Sequence, residues 1–579
     1  MGLKKRIAFF YILGVICLLC LGCNASTEGA AEDTDKADAA EGAELVWNIK
    51  NSPLNNLPLV EDTRVYLQDR DTRVAHIYLT VTPMQDDKTG RIYTLGDLNS
   101  VQTFRNEDEP VVEIIFQEGT EDGPAKGYFG YGQKEPGGFM RVRGRSTRRA
   151  VQKSYKIRLY DKAGLWRGQE VINLNKHPFD SLRIRNKFCF DYFEKIPDIV
   201  SLRTQFVHLH VKDLSKEVPD ETFVDYGLYT HVEQPNKRFL RSRGLDPNGH
   251  LYKPEFFEFF RYPEHLKSED DADFSEERFE QILEIREGRN HDKLLKMLDD
   301  VNDYRLDIND VVDKHFNRDN YLTWLGANIL FGNIDTRSQN YLLYSPQNAM
   351  TWYFFPWDYD GSMVLDAFHH GSMEPASQFG IANYWGNVLH KRFFKDPNNV
   401  KALNRKLEEL QTIINEENTQ ALIDKYEGVV KTFLYRLPDI QHLPVEAKYI
   451  EEELYSLQKV IEQNIQKYYR TLEYPMPIFL GEMHREGSQY VFEWERAYDL
   501  QGDDITYDFE IGKDPNFSQT VYSQKGLVHT RYTVENLTAG EYYWRVIVQD
   551  EEGNRQLPFD VYRDPLGNEH YGVKAVVVK

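Results

Sequence analysis

Hydrophobic and polar positions divide the chain into stretches of different period. Between Leu45 and Tyr160 they alternate in short runs, "RVYLQ", "AHIYLTVT", "VVEIIFQ", "FMRVRG" and "KSYKIRLY", separated by Gly, Asp and Asn clusters. Period two in β-branched and aromatic residues predicts strands. "DSLRIRNKFCFDYFEKI", Asp180 to Ile196, steps its apolar residues by three and four and predicts a helix, after which "QFVHLHVKD" and "FVDYGLYTHVE" return to period two. These elements predict a mostly antiparallel sheet with one inserted helix. From Phe274 to Glu473 helical spacing dominates, in "FSEERFEQILEI", "NDVVDKHFNRDNYLTWLGANILFGN", "NVKALNRKLEELQTIIN" and "EAKYIEEELYSLQKVIEQNIQKYYRTLE". Two alternating runs, "QNYLLYS" and "MTWYFFPWDYD", interrupt it and are joined by "PQNA", which predicts a hairpin. Beyond Tyr474, "QYVFEWERA", "ITYDFEIG", "TRYTVENL" and "EYYWRVIVQD" recur at the spacing of a small β-sandwich. The expected class is α+β: a sheet-rich lobe, a mainly helical lobe with an embedded hairpin, a cleft between them, and a C-terminal β-sandwich.

The length of 579 residues allows two or three domains, since single cores stop growing near ~250–300 residues. A formal net charge of -22 disfavours nucleic acid or an anionic membrane surface as the main partner. At the N-terminus Lys4, Lys5 and Arg6 precede an apolar run from Ile7 to Leu21. That run is shorter than the ~20 residues a spanning helix needs, so it reads as a secretory signal. It ends in "LLCLGC" followed by "NASTEGAAEDTDKADAAEGAE", which resembles a bacterial lipoprotein signal with Cys23 as the lipidated residue, although Cys20 stands where such signals usually carry Leu. The resemblance implies a signal peptide over 1–23, an acidic flexible tether over 24–44, and a folded part exported and lipid-anchored on the outer face of a bacterial membrane. Cys17 and Cys20 also fall in the signal, leaving Cys189 as a single thiol that reads as a buried small residue.

Phosphoryl transfer asks a protein for a base beside the acceptor hydroxyl, carboxylates that hold metal on the phosphates, and a cation. Asp335 and Asn340 stand in the spacing D-x-x-x-x-N, that of the protein-kinase catalytic loop, where Asp takes the hydroxyl proton and Asn holds a second metal. The predicted hairpin then leads to Asp358 in "WDYDG", the place of the metal-binding Asp of D-F-G, with Asp360 as a further ligand candidate. In "FMRVRGRSTRRAVQKSYKIRLY" the turn with Arg143, Gly144 and Ser146 can cradle phosphates. Lys153 is the first choice for the cation, and Lys156, on the opposite face of a regular strand, is the reserve. "YGLYTHVEQPNKRFL" reads as a strand entering an inter-lobe hinge, with Glu233 and Gln234 where a kinase contacts adenine, a plain strand end being the competing reading. The glycines of "GYFGYGQKEPGG" read as turns more readily than as a phosphate loop. His208 and His210 in "HLH" share a strand face and could bind metal, exposed strand positions being the plainer reading; His369 and His370 follow the Asp358 loop closely enough to line the cleft.

Two other classes compete. Asp358-Tyr-Asp360 matches the D-x-D of metal-dependent glycosyltransferases, which usually place it after alternating βαβ units that are missing here. A pseudokinase or surface scaffold would keep the fold for binding, its sandwich recruiting a protein or glycan.

Taken together, "RGRSTRRAVQKSYKIRLY", "SLRIRNKFCFDYF", "YGLYTHVE", "RDNYLTWLGANILFGNIDTRSQNYLLY" and "FFPWDYDGS" resemble the CotH kinase family of bacterial spore-coat and exported proteins, over roughly Pro58 to Glu473. The resemblance implies an atypical, bilobal protein-kinase-like fold over 45–473 that uses ATP and Mg2+ or Mn2+ to phosphorylate Ser or Thr of a protein. It implies Lys153 as the nucleotide-phosphate Lys, Asp335 as the catalytic Asp with Asn340 beside it, and Asp358 as the metal ligand. No His-Arg precedes Asp335 and no Phe-Gly follows Asp358, so activation-loop regulation does not carry over. "FEWERAYDLQGDDITYDFEIGKDPNFS" and "LTAGEYYWRVIVQDEEGN" resemble a fibronectin type III domain, placed at 474–579.

Overall fold

The computed structural model describes residues 56–69, 73–103, 109–127, 129, 134–366 and 379–578; the signal and tether readings, Cys23, His369 and His370 lie outside these. Among the described residues no helix is long and apolar enough to cross a membrane. The fold is α+β, with sheet first, helix next and further sheet at the C-terminus.

Seven longer strands, with a two-residue strand Gly123–Pro124 beside β2, form the first, eight-stranded sheet: β1 Ala75–Thr82, β2 Val112–Thr120, β3 Gly138–Arg143, β4 Ser154–Leu159, β5 Val171–Asn175, β6 Thr204–Asp213 and β7 Val224–Glu233. Their order is β1-β6-β7-β5-β4-β3-β2, and β2 pairs back to β1, so the expected sheet is a closed barrel. β1 and β6 pair in parallel, while the other pairings are antiparallel. Alternation sends Ile77, Leu79, Val142, Tyr155, Ile157 and Leu209 into a dry interior. It leaves the intervening positions outside, where Arg143 lies opposite Ser154 and Arg141 opposite Lys156.

Two local expectations change. "RVYLQ" forms a 3-10 turn, Thr63–Gln68, because Asp62 accepts from Arg64 N and diverts the backbone from a sheet ladder. The helix expected from Asp180 begins only at Arg185 (α1, Arg185–Phe193), because the Asp180 carboxylate accepts from the amides of Leu182 and Arg185 and holds the intervening residues in a turn.

A second sheet, of order β9-β8-β10-β11, follows: β8 His250–Pro254, β9 Leu283–Glu287, β10 Tyr341–Ser345 and β11 Tyr353–Pro356. β10 and β11 are the predicted hairpin. β9 corrects the reading of "FSEERFEQILEI" as one helix, which stops after Glu276–Glu280 because its last residues find a ladder partner in β8. The long helix expected over 309–333 is two helices, α2 Ile308–His315 and α3 Arg318–Phe331. Asn317 separates them, its side chain capping α3 through Asn320 N at 2.8 Å. α3 is buried on all sides from Asn320 to Phe331. Trp324 stacks on Phe354 of β11 at 4.7 Å, and Gly326 admits Leu410 of α4 (Pro397–Gln411), whose Cδ1 would lie 2.7 Å from an added Cβ. α5 Glu416–Leu434 and α6 Ile450–Leu472 follow, and helices at Asp292–Asn302, Gly380–Tyr384 and Val388–Phe394 belong to the same part.

At the C-terminus, strands at 484–486, 489–493 and 531–535 form one sheet, and strands at 520–527, 506–512, 540–549 and 574–578 belong to another. Phe492 of the first meets Phe509 and Trp544 of the second at 5.2 and 5.1 Å, so the two sheets share a core.

Candidate active site

α3 ends at Gly332, whose left-handed φ of 64° turns the chain out of the core and into the loop carrying Asp335. Three buried side chains pin that loop. Thr336 donates to Asn333 O at 2.9 Å, Asn383 to Ile334 O at 2.9 Å and Asn387 to Arg337 O at 3.1 Å. Amides satisfy both Asp335 oxygens: Gln339 Nε2 donates to Oδ1 at 2.5 Å and Asn340 Nδ2 to Oδ2 at 2.8 Å. The carboxylate is reachable by solvent, yet it sits in a recess crowded by protein, and that desolvation, with the Asp360 charge, raises its pKa above the usual range.

At the far end of the hairpin, Tyr359 fixes the orientation of its neighbours. It is fully buried against Phe190, Phe193 and Phe331, its hydroxyl donates to Asn328 Oδ1 at 2.8 Å, and its amide to Asn186 Oδ1 at 3.0 Å. With Tyr359 turned inward, the flanking Asp358 and Asp360 turn away from that aromatic core, where both sense His177 and Arg143. His177 Nδ1 lies 3.1 Å from Asp360 Oδ2, and Asn186 lies against the other ring nitrogen. Burial and the Asp360 charge raise Asp358, while the His177 hydrogen bond lowers Asp360. Behind this loop, Arg185 donates to Met363 O at 3.2 Å and to Glu453 at 2.6 Å, tying loop, α1 and α6 together.

His177, Asn340 and Asp358 all have positive φ, 49°, 59° and 61°. Three such residues converging on one locus is the strain pattern that surrounding structure sustains at functional sites.

The facing wall is cationic. Arg143 on β3 senses both Asp358 and Asp360, and its Nη1 is buried without a hydrogen-bond partner among the described residues. Lys156, on the same barrel face, is pushed down to about 7 by burial and by the guanidinium groups of Arg286, Arg141 and Arg143, against the weaker pull of Glu284. Arg286 on β9 also has a buried Nε without a hydrogen-bond partner among the described residues. The site thus gathers carboxylates that repel one another opposite cations that repel one another.

The remaining sequence candidates separate from this group. Lys153 faces the other way along β4, its ammonium donating to Arg148 O at 2.5 Å and Val101 O at 3.2 Å, and the charge it senses is Arg148. Gly144, at φ 91°, admits Thr147 Oγ1 where a Cβ would stand, and Ser146 opens a 3-10 turn that places Arg148 for Glu109. Arg145 reaches across to Glu255 at 3.0 Å. Glu233 is committed to Arg243 at 2.6 Å and to Arg203 N at 3.1 Å, while Gln234 accepts from Asn173 at 3.1 Å beside a recess of about 90 Å3. Sequence reading missed His177, Asn186 and Arg286, none of which stands in a spaced motif. The local cues were the His-Pro pair at 177–178 and, for Asn186, its place in "SLRIRNKFCFDYF". Cys189 is buried, as expected.

The family profile described as CotH kinase protein matches residues 140–468, from β3 through most of α6, including every residue of this constellation. Over 349 residues, 57% of this chain and 88% of the relative, the sequence is 25% identical to the inner spore coat protein H of Bacillus subtilis (strain 168).

Proposed function

The chain belongs to the CotH kinase protein family, and from that premise we propose that it transfers the γ-phosphoryl group of ATP to a Ser or Thr hydroxyl of a protein. The observation that carries the proposal is the two-walled charge arrangement: burial and the Asp360 charge raise Asp335 and Asp358, while burial and the guanidinium groups of Arg286, Arg141 and Arg143 lower Lys156. A metal-bound polyphosphate relieves both repulsions at once, placing cation against carboxylate and phosphate against ammonium.

The carboxylates of Asp358 and Asp360 and the amide oxygen of Asn340 are hard oxygen donors that suit Mg2+ or Mn2+, and the unpaired nitrogen of Arg143 suits a phosphate oxygen. A metal held there would neutralise charge on the phosphates. Asp335, its carboxylate oriented by Gln339 and Asn340, takes the acceptor proton; the hydroxyl oxygen bonds to the γ-phosphorus as the bond to the β,γ-bridging oxygen breaks, and ADP leaves with that electron pair. Its raised pKa makes it a stronger base than a fully hydrated Asp. In this reading the outer face of the barrel and the β8–β11 sheet with its helices are the two lobes of a kinase-like fold. Arg143 and Lys156 serve as the phosphate-facing cations, and Gln234 marks the hinge. The anchored location through Cys23, and a protein or glycan ligand for a fibronectin-like C-terminal sandwich, belong to the same proposal.

The test uses purified protein with ATP and Mg2+ or Mn2+, Ser/Thr peptides, and mass spectrometry of products, with a UDP-sugar arm for the D-x-D alternative. Asp358→Asn is expected to lose metal-dependent nucleotide binding. Asp335→Asn is expected to keep binding and lose transfer by about 10²–10⁴-fold. Undiminished transfer by Asp335→Asn removes it from the base role, and sugar transfer without phosphorylation replaces the proposal.

A further inference from the structure

A second cluster lies on strands that carry none of the groups above. β1 and β6 pair in parallel with His76 opposite His208 and Tyr78 opposite His210. Ile77, Leu79, Val207 and Leu209 point into the barrel, so His76, His208 and His210 share its outer face. Each offers one ring nitrogen, and these nitrogens all lie within 4.8 Å of one another. From this geometry we infer that His76, His208 and His210 bind a divalent late transition-metal ion of zinc's kind, at a site separate from the carboxylate centre and selective for a different metal.

Three observations support it. His76 Nδ1, His208 Nδ1 and His210 Nε2 are each buried without a hydrogen-bond partner among the described residues. Three orphaned imidazole nitrogens within one cluster of packed rings are costly unless something satisfies them. Second, His208 donates its Nε2–H to Asp225 Oδ1 at 2.8 Å, which leaves the lone pair on Nδ1. Asp225 is itself aimed by Gly227 N at 2.7 Å, at a register shift in β7. A carboxylate holding the far nitrogen of a ligand His is the usual support for a metal-bound imidazole. Third, the rings are packed: Tyr78 stacks on His210 at 4.5 Å, and Phe433 of α5 meets His208 edge-on at 4.9 Å.

In a tetrahedral site with metal–nitrogen distances of ~2.0–2.1 Å the ligand nitrogens stand about 3.3 Å apart, so the trio closes on a metal by at most ~1.5 Å of ring movement. Imidazole donors select Zn2+, Co2+, Ni2+ or Cu2+ over Mg2+ and Ca2+, which need oxygen. Three protein ligands leave a fourth position for water or another donor. The ion would clamp β1 to β6 along the parallel seam of the barrel.

Full-chain protein is stripped with a chelator and titrated with Zn2+ by calorimetry and with Co2+ by visible spectroscopy, in excess Mg2+. Expected is one equivalent bound with a dissociation constant below about 10 μM, tetrahedral cobalt bands without thiolate charge transfer, and a raised melting temperature. His208→Ala and, separately, His76→Gln should each lose this equivalent while unfolding cooperatively, and Asp225→Asn should weaken it by about 10–100-fold. Asp358→Asn should keep it, which separates failure here from failure of the kinase proposal. An equivalent that persists in both His variants, or folded wild-type protein binding Zn2+ no tighter than Mg2+, overturns the inference.

Discussion

Replacing Lys156 by Met tests the polyphosphate reading through proton counting. In the free protein Lys156 is pushed down to about 7 by burial and by Arg286, Arg141 and Arg143, with Glu284 the opposing charge. With that value the amine is roughly one-tenth neutral at pH 6, half neutral at pH 7 and nine-tenths neutral at pH 8. A phosphate arriving beside it restores the ordinary lysine range, so binding takes up a proton at Lys156 from the neutral fraction. Nucleotide binding to wild type should therefore take up about 0.1, 0.5 and 0.9 more protons at pH 6, 7 and 8 than binding to Lys156→Met. Calorimetry in buffers of different ionisation enthalpy reads these numbers, and the titrations of Asp358 and of the nucleotide cancel in the difference. The affinity advantage of wild type should shrink by up to tenfold per pH unit above 7, having been about 30-fold or more below it. The sign for the free protein follows from the same shift. Because the folded value lies below the ordinary one, the unfolded chain holds the extra proton between them, so stability rises with pH from about 7 toward about 10. Equal proton uptake by wild type and Lys156→Met at pH 8 would refute the placement of this cation on the phosphates.

Lys153→Met should behave oppositely. It leaves Arg148 O and Val101 O without their ammonium donor, costing about 1–3 kcal/mol in denaturant unfolding while nucleotide affinity stays within twofold; a large loss of affinity at unchanged stability would return Lys153 to the site. Glu453→Gln breaks the buried pair with Arg185 at 2.6 Å and should cost about 3 kcal/mol in the same assay. Because Arg185 also holds Met363 O, nucleotide binding should weaken with it, and unchanged affinity would show that the Asp358 loop is held by other contacts.

Much of the secondary structure was legible because it is written locally. "AHIYLTVT" coincides with β1, and the alternation of "QNYLLYS" and "MTWYFFPWDYD" locates the β10–β11 hairpin. Reading failed where a side chain overrode the period, as Asn317 does in capping α3 and Asp180 in delaying α1. In the site, Asp335, Asn340, Asp358 and Asp360 were visible because loop and hairpin ends carry chemistry at fixed spacing. The two lysines were visible as alternatives on opposite strand faces, but choosing between them required knowing which face of β4 the barrel encloses.

That division has one physical cause. Period, capping and loop spacing act over a few residues, so the sequence alone determined most of the strands, the hairpin and the acidic motif at its two ends. Barrel closure joins β1 to β6 and β2 across long stretches of chain, so only tertiary structure decided that Arg143 senses Asp358, that Lys156 shares the outer face with Arg143, and that His76 meets His208 and His210. Burial and repulsion between like charges, which together shift Lys156 and Asp358, arise only once folding has brought these groups together.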